Sequence, residues 1–80
     1  MPSVFNDGSF RVMIYPNDHP PPHVHVWSSD GTEAVIYLSP VSVRKSGMKR
    51  NEQKRAIQIV KENHDILLAS WYEIHGNDSG

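Results

Sequence analysis

The 80-residue chain contains no cysteine. Disulfide bonds, zinc sites built on thiolates and cysteine nucleophiles are therefore excluded. The same absence fits a reducing compartment, and we expect a cytoplasmic protein. A chain of this length forms one domain with a small core, so a protein partner or a second copy is a reasonable expectation.

Long apolar runs and targeting signals are also missing. No run approaches the roughly 20 apolar residues that a membrane-spanning helix needs. The N-terminal segment M-P-S-V-F-N-D-G lacks the basic and apolar parts of a signal peptide. Glycine-rich phosphate loops are absent, and no serine has the flanking residues of a nucleophile elbow. We therefore expect no membrane span, no signal peptide and no serine-nucleophile chemistry.

The first half of the chain alternates as strands do. Residues 10–15, 23–27 and 32–38 each place apolar side chains at every second position. Residues 39–44 predict a short edge strand, because Pro40 lacks the N–H group that a central strand needs. Three or four antiparallel strands follow from this pattern.

The loop S-S-D-G decides how two of these strands pair. A three-residue loop at 29–31, with Gly31 in the left-handed conformation, keeps one face of the hairpin apolar. A slip by one residue would turn the side chains of one strand to the wrong face. The predicted pairs are Val26 with Ala34, Val24 with Ile36, Trp27 with Glu33, His25 with Val35 and His23 with Tyr37.

The second half is rich in helix formers from about residue 50 onward. A break near residues 63–65 is favoured over one continuous helix, because Asn and Asp cap helices better than they fill them. Trp71 is expected in the core. The fold class is α+β, a three- to four-stranded antiparallel sheet with one face covered by two C-terminal helices. Residues 76–80 are expected to form a disordered tail.

The sheet face away from the helices is rich in aromatic and titratable groups. We predict that it is exposed and functional, because a surface without a role rarely has this composition. Its residues are Arg11, Met13, Tyr15, His23, His25, Trp27, Glu33, Val35 and Tyr37.

One long motif covers much of the chain: F-x-V-x-I-Y-x-N-D-H-x-P-P-H-x-H-V, an alternating strand, a basic helix and a helix that ends in L-x-x-x-W. This pattern resembles DUF4160, a family of small bacterial domains of unknown function. The resemblance spans residues 4–75, which we take as a single domain. Its most specific parts are N-D-H-P-P-P-H-V-H-V and D-I-L-L-A-S-W, whereas Met48 stands where the family often has a Leu-Pro pair.

Members of this family are often encoded beside proteins of a second uncharacterised family, DUF2442, and the pair is suspected to be a toxin–antitoxin-like module. The resemblance thus implies a domain that binds a DUF2442-like protein partner, and this is the leading hypothesis. It implies no catalytic residues, and which member of a pair would be toxic stays open.

His23 and His25 stand two residues apart on a predicted strand, so their Cβ atoms lie on one face, about 7 Å apart. Two such imidazoles can share a divalent transition metal such as zinc, nickel, iron or copper. A third ligand would come from His19 or Asp18 in the proline loop, or from Glu33 across the hairpin. The alternative is structural: the histidines hydrogen-bond the loop backbone or pack beside aromatic neighbours.

The same histidines are suited to general acid–base chemistry near neutral pH. One ring can take the proton of an RNA 2′-hydroxyl while another protonates the leaving oxygen. A histidine-dependent ribonuclease or a metal-assisted hydrolase is therefore the second hypothesis. Its candidate catalytic residues are His23, His25, Arg11, Glu33 and Tyr37.

Positive charge is concentrated in one segment. Residues 41–61 hold seven of the eight basic residues and one of the nine acidic ones. Such a segment can bind the phosphates of RNA or DNA, or an acidic partner protein, or it is simply a solvated helix surface. A nucleic-acid-binding module through residues 44–61 is the third hypothesis, although the net charge of −1 argues against strong binding. Its candidate residues are Arg44, Lys45, Lys49, Arg50, Lys54 and Arg55.

Overall fold

The computed structural model describes residues 3–76. Its elements are β1 (Ser3–Asn6), β2 (Phe10–Met13), β3 (His23–Ser28), β4 (Glu33–Leu38), β5 (Val41–Ser46), α1 (Arg50–Glu62) and α2 (His64–His75). The strands form one antiparallel sheet in the order β1-β2-β3-β4-β5, which confirms the α+β class. Within the described residues, neither helix is long and apolar enough to cross a membrane.

The sheet has five strands rather than three or four. The additional strand is β1, whose four residues are too few to show an alternation in the sequence. A tight turn joins it to β2: Asp7 Oδ1 accepts hydrogen bonds from the backbone N–H groups of Ser9 and Phe10, both at 2.9 Å. Gly8 has φ of +92° in this turn, a conformation that glycine adopts without strain. The predicted tail lies outside the described residues, apart from Gly76.

The β3–β4 hairpin has the predicted register. Val26 lies opposite Ala34, and Val24 lies opposite Ile36. The N–H of Ser28 donates to the carbonyl oxygen of Thr32 at 2.9 Å and closes the predicted three-residue loop 29–31, in which Gly31 adopts φ of +87° as expected. The remaining predicted pairs are also present: Trp27 with Glu33, His25 with Val35 and His23 with Tyr37.

Strand β5 lies at the sheet edge as predicted, two residues later than its predicted start. Ser39 and Pro40 form the turn that precedes it, because the proline cannot donate to the ladder. The register between β4 and β5 is irregular: Ile36 lies opposite Val43, whereas Val35 lies opposite Lys45.

The core lies between one face of the sheet and the two helices, as the apolar pattern predicts. Each fully buried aliphatic side chain there contributes about 1.5–3 kcal/mol relative to an exposed one. Trp71 of α2 is 3% exposed and closes this core. The strands contribute Phe10, Val12, Val24, Val26, Ala34, Ile36 and Leu38, the residue after β2 contributes Ile14, and the helices contribute Ala56, Ile59, Val60, Leu67 and Trp71.

The prediction of an exposed second face is wrong for part of that face. Met13, His23 and Val35 are buried there, at 6%, 9% and 1% exposure. The β2–β3 connection returns to this face and places Asp18 against His23 and His25, and the His23 ring also lies 5.2 Å from the indole of Trp71 in α2. A loop that folds back onto a sheet is not visible in the alternation of the strands themselves.

The helices break at Asn63, as favoured by the sequence. The Asn63 side-chain amide donates to the carbonyl oxygen of Ile59 at 2.8 Å, which competes with helix continuation. His64 begins α2, and its Nε2 lies 2.6 Å from the carbonyl oxygen of Leu38 at the end of β4. Its Nδ1 lies 3.2 Å from Asp65 Oδ1. Both ring nitrogens of His64 therefore face acceptors, an arrangement that favours the doubly protonated ring.

We predict a stability that depends on pH through His64. Its pKa is raised above 6.5 by the hydrogen bond to the Asp65 carboxylate and then by that to the Leu38 carbonyl. The folded state thus binds the proton more tightly than the unfolded chain. The resulting stabilisation is fully present below pH 6.5 and is lost as the pH rises through the folded-state pKa.

Chemical denaturation of the wild type and of His64→Gln between about pH 5 and pH 8.5 measures this effect. The stability difference between the two should shrink as the pH rises. This difference in the free energy of unfolding should stay below about 1 kcal/mol, because the His64 side chain is 34% exposed and solvent screens its interactions. Asp65→Asn, which removes the larger cause, should show the same trend. A difference that is constant with pH would contradict the assignment.

Candidate functional site

The connection between β2 and β3, residues 14–22, forms one wall of the candidate site. Pro16 ends the extended chain after β2, and the backbone N–H of Asp18 donates to the carbonyl oxygen of Tyr15 at 3.1 Å. Three consecutive prolines follow, with a cis peptide bond between Pro20 and Pro21, and β3 begins directly after Pro22. The backbone N–H of Leu38 donates to the carbonyl oxygen of Pro22 at 3.0 Å and ties this segment to β4. The loop thus delivers the Asp18 side chain to the sheet.

Three atoms that can bind a metal ion lie close together where this loop contacts β3. The distance between Asp18 Oδ2 and His25 Nε2 is 3.0 Å, and that between Asp18 Oδ2 and His23 Nε2 is 3.4 Å. One ligand atom from each of the three residues lies within 4.8 Å of the others. We refer to Asp18, His23 and His25 as the triad.

The second nitrogen of each histidine ring is already engaged. His23 Nδ1–H donates to the carbonyl oxygen of Pro21 at 2.9 Å. His25 Nδ1 lies 2.8 Å from Glu33 Oε2, which is a hydrogen-bond acceptor when ionised. Because a neutral imidazole has one N–H, a ring that donates through Nδ1 turns a lone pair toward Asp18.

The triad therefore brings electron pairs together. In the neutral rings, two Nε2 lone pairs and a carboxylate oxygen converge at side chains that are only 11–18% exposed. Water screens such partly buried groups poorly, so their mutual repulsion is larger than on an open surface. The three atoms are therefore placed to bind one cation together, and Asp18 Oδ2 also accepts a hydrogen bond from the backbone N–H of Tyr15 at 3.4 Å.

Packing holds both rings in place. His25 lies between Met13 and Val35 in the register of the sheet, and Tyr15 packs edge-on against it at a centroid distance of 4.7 Å. The His23 ring lies 5.2 Å from the indole of Trp71, which belongs to the core. The orientation of the rings is therefore supported by the folded domain and not by the loop alone.

A cavity of about 270 Å³ opens beside the triad. The triad forms part of its wall, and the ring of Tyr37, with its centroid 6.3 Å from that of His23, forms another part. Small-molecule sites commonly combine such a concave surface with a few convergent polar groups. The lining residues are Asn17, Asp18, His19, Pro20, Pro21, His23, His25, Tyr37 and Arg44.

The predicted site residues separate into two groups. Glu33 contacts His25 but at the nitrogen that faces away from Asp18, and Tyr37 lies beside His23. His19 is exposed and lines the cavity without belonging to the triad. Arg11 instead lines a different cavity, of about 320 Å³, together with Trp27. The sequence offered His19, Asp18 and Glu33 as the third metal ligand. In the structure, Asp18 is the one that lies beside the Nε2 atoms of both His23 and His25.

Arg44 is a site residue for which the sequence suggested another role. It falls within the irregular part of the β4–β5 register, where Val43 and Lys45 pair with β4 and Arg44 is left as an additional residue. Its side chain lines the same cavity as Tyr37. Nothing in the sequence of β5 indicates this bulge. The positive charge of the segment was therefore the only feature of the sequence that pointed to Arg44.

The six basic candidates do not share one surface. They are all exposed, yet Arg44 lines the cavity on the triad face while α1 packs on the core face of the sheet. Arg55 of α1 lies near Asp7 of the β1–β2 turn. The pKa of Asp7 is lowered mainly by the N–H groups of Phe10 and Ser9 and to a smaller extent by this arginine. Arg44 therefore lies apart from the candidates on α1, and nucleic-acid binding through residues 44–61 stays a prediction.

A family model described as a domain of unknown function, DUF4160, matches residues 9–72. Because this match covers most of the chain, the protein belongs to the DUF4160 family. The resemblance of its histidine–proline motif is thereby confirmed, and the description of the family assigns no activity. No curated protein and no solved structure matches the chain.

We predict that the neutral His23 ring is the Nδ1–H tautomer. The Pro21 carbonyl can only accept a hydrogen bond, so the proton must reside on Nδ1. Long-range ¹H–¹⁵N NMR of the metal-free protein, at a pH where the rings are neutral, reports the tautomer. His19, which is exposed in the same cavity, supplies the reference for an unconstrained ring. An Nε2–H tautomer at His23 would contradict the geometry.

Proposed function

We propose that this protein binds one divalent transition-metal ion, zinc in the first instance, through Asp18, His23 and His25, and that it is a metal-assisted hydrolase. The observation that carries the proposal is the convergence of two Nε2 atoms on one carboxylate oxygen, with both Nδ1 atoms tied elsewhere.

The contacts behind the triad resemble those of known metal sites. A histidine that ligates a metal generally donates its other N–H to a carboxylate or a backbone carbonyl, which fixes the tautomer and aims the free nitrogen. His23 has the carbonyl of Pro21 and His25 has the carboxylate of Glu33. Each histidine therefore has an acceptor at its Nδ1 atom, as metal-ligating histidines generally do. Packing against Tyr15 and Trp71 also holds the two rings in place.

The number of protein ligands favours a hydrolytic role. Three nitrogen and oxygen ligands leave a fourth position for water in catalytic zinc sites. A bound metal lowers the pKa of that water to about 7. In hydrolysis the water oxygen bonds to the electrophilic atom, the ester bond breaks, the water releases one proton and the leaving oxygen takes one up. The cavity beside the triad gives a substrate access to this position.

A metal-free ribonuclease is supported less well. General acid–base catalysis requires ring nitrogens that face the substrate, whereas both Nε2 atoms face Asp18. Arg11, proposed to hold the phosphate, lines a different cavity. This hypothesis therefore ranks below the metal site.

Partner binding is independent of the metal proposal. Contacts within one chain do not test whether a DUF2442-like protein binds, and the toxin–antitoxin-like pairing stays a prediction. A metal site and a protein partner are compatible, because the triad occupies one part of one sheet face.

The proposal predicts one tight zinc site. Titration calorimetry of the metal-free protein should give a stoichiometry of about one, and zinc should shift the NMR signals of His23 and His25 together. Asp18→Asn and His25→Gln each remove one ligand. Both variants should lose more affinity than the roughly 10- to 100-fold that loss of an outer contact costs.

His19→Gln is the matched control, because His19 lines the cavity without joining the triad. Its zinc affinity should stay within about threefold of the wild type. Thermal unfolding of each variant without metal separates loss of a ligand from loss of the fold. Equal zinc affinity in the wild type, Asp18→Asn and His25→Gln would refute the proposed site.

Glu33→Gln tests the outer contact separately. The neutral amide is a weaker acceptor for His25 Nδ1–H, so zinc affinity should fall about 10- to 100-fold while the stoichiometry stays the same. The same calorimetric titration measures both quantities. An unchanged affinity would show that Glu33 has no role in orienting the ring.

A further inference from the structure

Arg44 carries the only fixed positive charge among the residues that line the triad cavity. Among residues 3–76 it takes part in no salt bridge and no side-chain hydrogen bond. The carboxylates of Asp18 and Glu33 contact the two histidines. The guanidinium is therefore available for a ligand in the cavity.

The position of Arg44 follows from the β4–β5 bulge and not from the helix. The register passes from Val43 to Lys45, and the additional residue between them turns toward the triad cavity. Bulges commonly redirect a side chain next to a functional site. The guanidinium is planar and has five donors, which suits the oxygens of a phosphate group.

We propose that the triad cavity binds a phosphodiester, with Arg44 on one non-bridging oxygen and with the triad, which would hold the metal ion, in the wall of the same cavity. This inference rests on the proposed metal site and names the substrate class for it. A metal ion and an arginine on one phosphate would together neutralise the charge that grows on its oxygens during hydrolysis.

Charge matching favours a diester over a monoester. A divalent metal brings two positive charges, which Asp18 and Glu33 offset, so that Arg44 leaves the site with one net positive charge. A phosphodiester carries one negative charge. A phosphomonoester carries about 1.5 to 2 negative charges at neutral pH, which this site would neutralise incompletely.

The shape of the cavity agrees with this choice. Its volume of about 270 Å³ is near the lower end for small-molecule sites, roughly 300–1,000 Å³, so it holds a phosphate with part of one substituent. The second substituent of a diester must therefore extend out of the cavity. Tyr37 and the prolines 20 and 21 form walls of limited flexibility around the phosphate.

The test uses bis(p-nitrophenyl) phosphate as the diester and p-nitrophenyl phosphate as the monoester, with the zinc-loaded protein. Binding is followed by NMR chemical shifts, and hydrolysis by the release of p-nitrophenolate. In the reaction, water oxygen bonds to phosphorus and the bond from phosphorus to one aryl oxygen breaks. The p-nitrophenolate leaves with the electron pair of that bond, the protons of the water pass to solvent, and p-nitrophenyl phosphate remains. The wild type should bind the diester more tightly than the monoester.

Arg44→Gln should weaken diester binding and lower kcat/KM roughly 10- to 100-fold, because it removes a charged donor from the phosphate. Arg44→Lys should restore only part of this loss, since an ammonium cannot form the same paired contacts. Lys45→Gln removes an equal charge from the next residue, which pairs with Val35 and does not line the triad cavity. It should change both values less than about threefold.

Zinc affinity, measured on the same samples, separates the two proposals. Absence of zinc binding in the wild type would refute the metal site itself. Normal zinc binding with neither binding nor hydrolysis of the diester would refute the substrate class alone, as would preference for the monoester. Equal effects of Arg44→Gln and Lys45→Gln would remove Arg44 from the site.

Discussion

The contact between the Asp18 carboxylate and the two histidine rings is the interaction on which the rest of the site depends. It joins the β2–β3 connection to β3 at His25, which lies between the buried side chains of Met13 and Val35 in the sheet. The same contact defines both the wall of the cavity and the meeting point of the donor atoms.

The helices support this contact from the other side of the domain. Trp71 of α2 belongs to the core and also packs against the His23 ring. His64, at the start of α2, is hydrogen-bonded to the carbonyl oxygen of Leu38. The backbone N–H of the same Leu38 donates to the carbonyl oxygen of Pro22 in the β2–β3 connection. The orientation of the triad is therefore linked to the packing of α2, and a rigid arrangement of this kind is what a metal site requires.

Much of the fold follows from local patterns. Gly31 permits the three-residue loop, and the alternation of Val24, Val26, Ala34 and Ile36 then leaves one register, which the structure confirms. The helix break at Asn63 follows from the same kind of local chemistry. Strand β1 escaped prediction because four residues show no periodicity and its pairing with β2 is a tertiary contact.

By itself, the sequence determined the two-residue spacing of His23 and His25, their common face and the apolar face that the helices cover, because strand period and burial are local properties. Only the tertiary structure decided that Asp18, rather than His19 or Glu33, meets their Nε2 atoms, and that Arg44, rather than Arg11, shares their cavity. The first outcome depends on the contact that the β2–β3 connection makes with the sheet, and the second depends on the bulge in β5. Those features are set by contacts between distant residues, which alternation along a single strand does not encode.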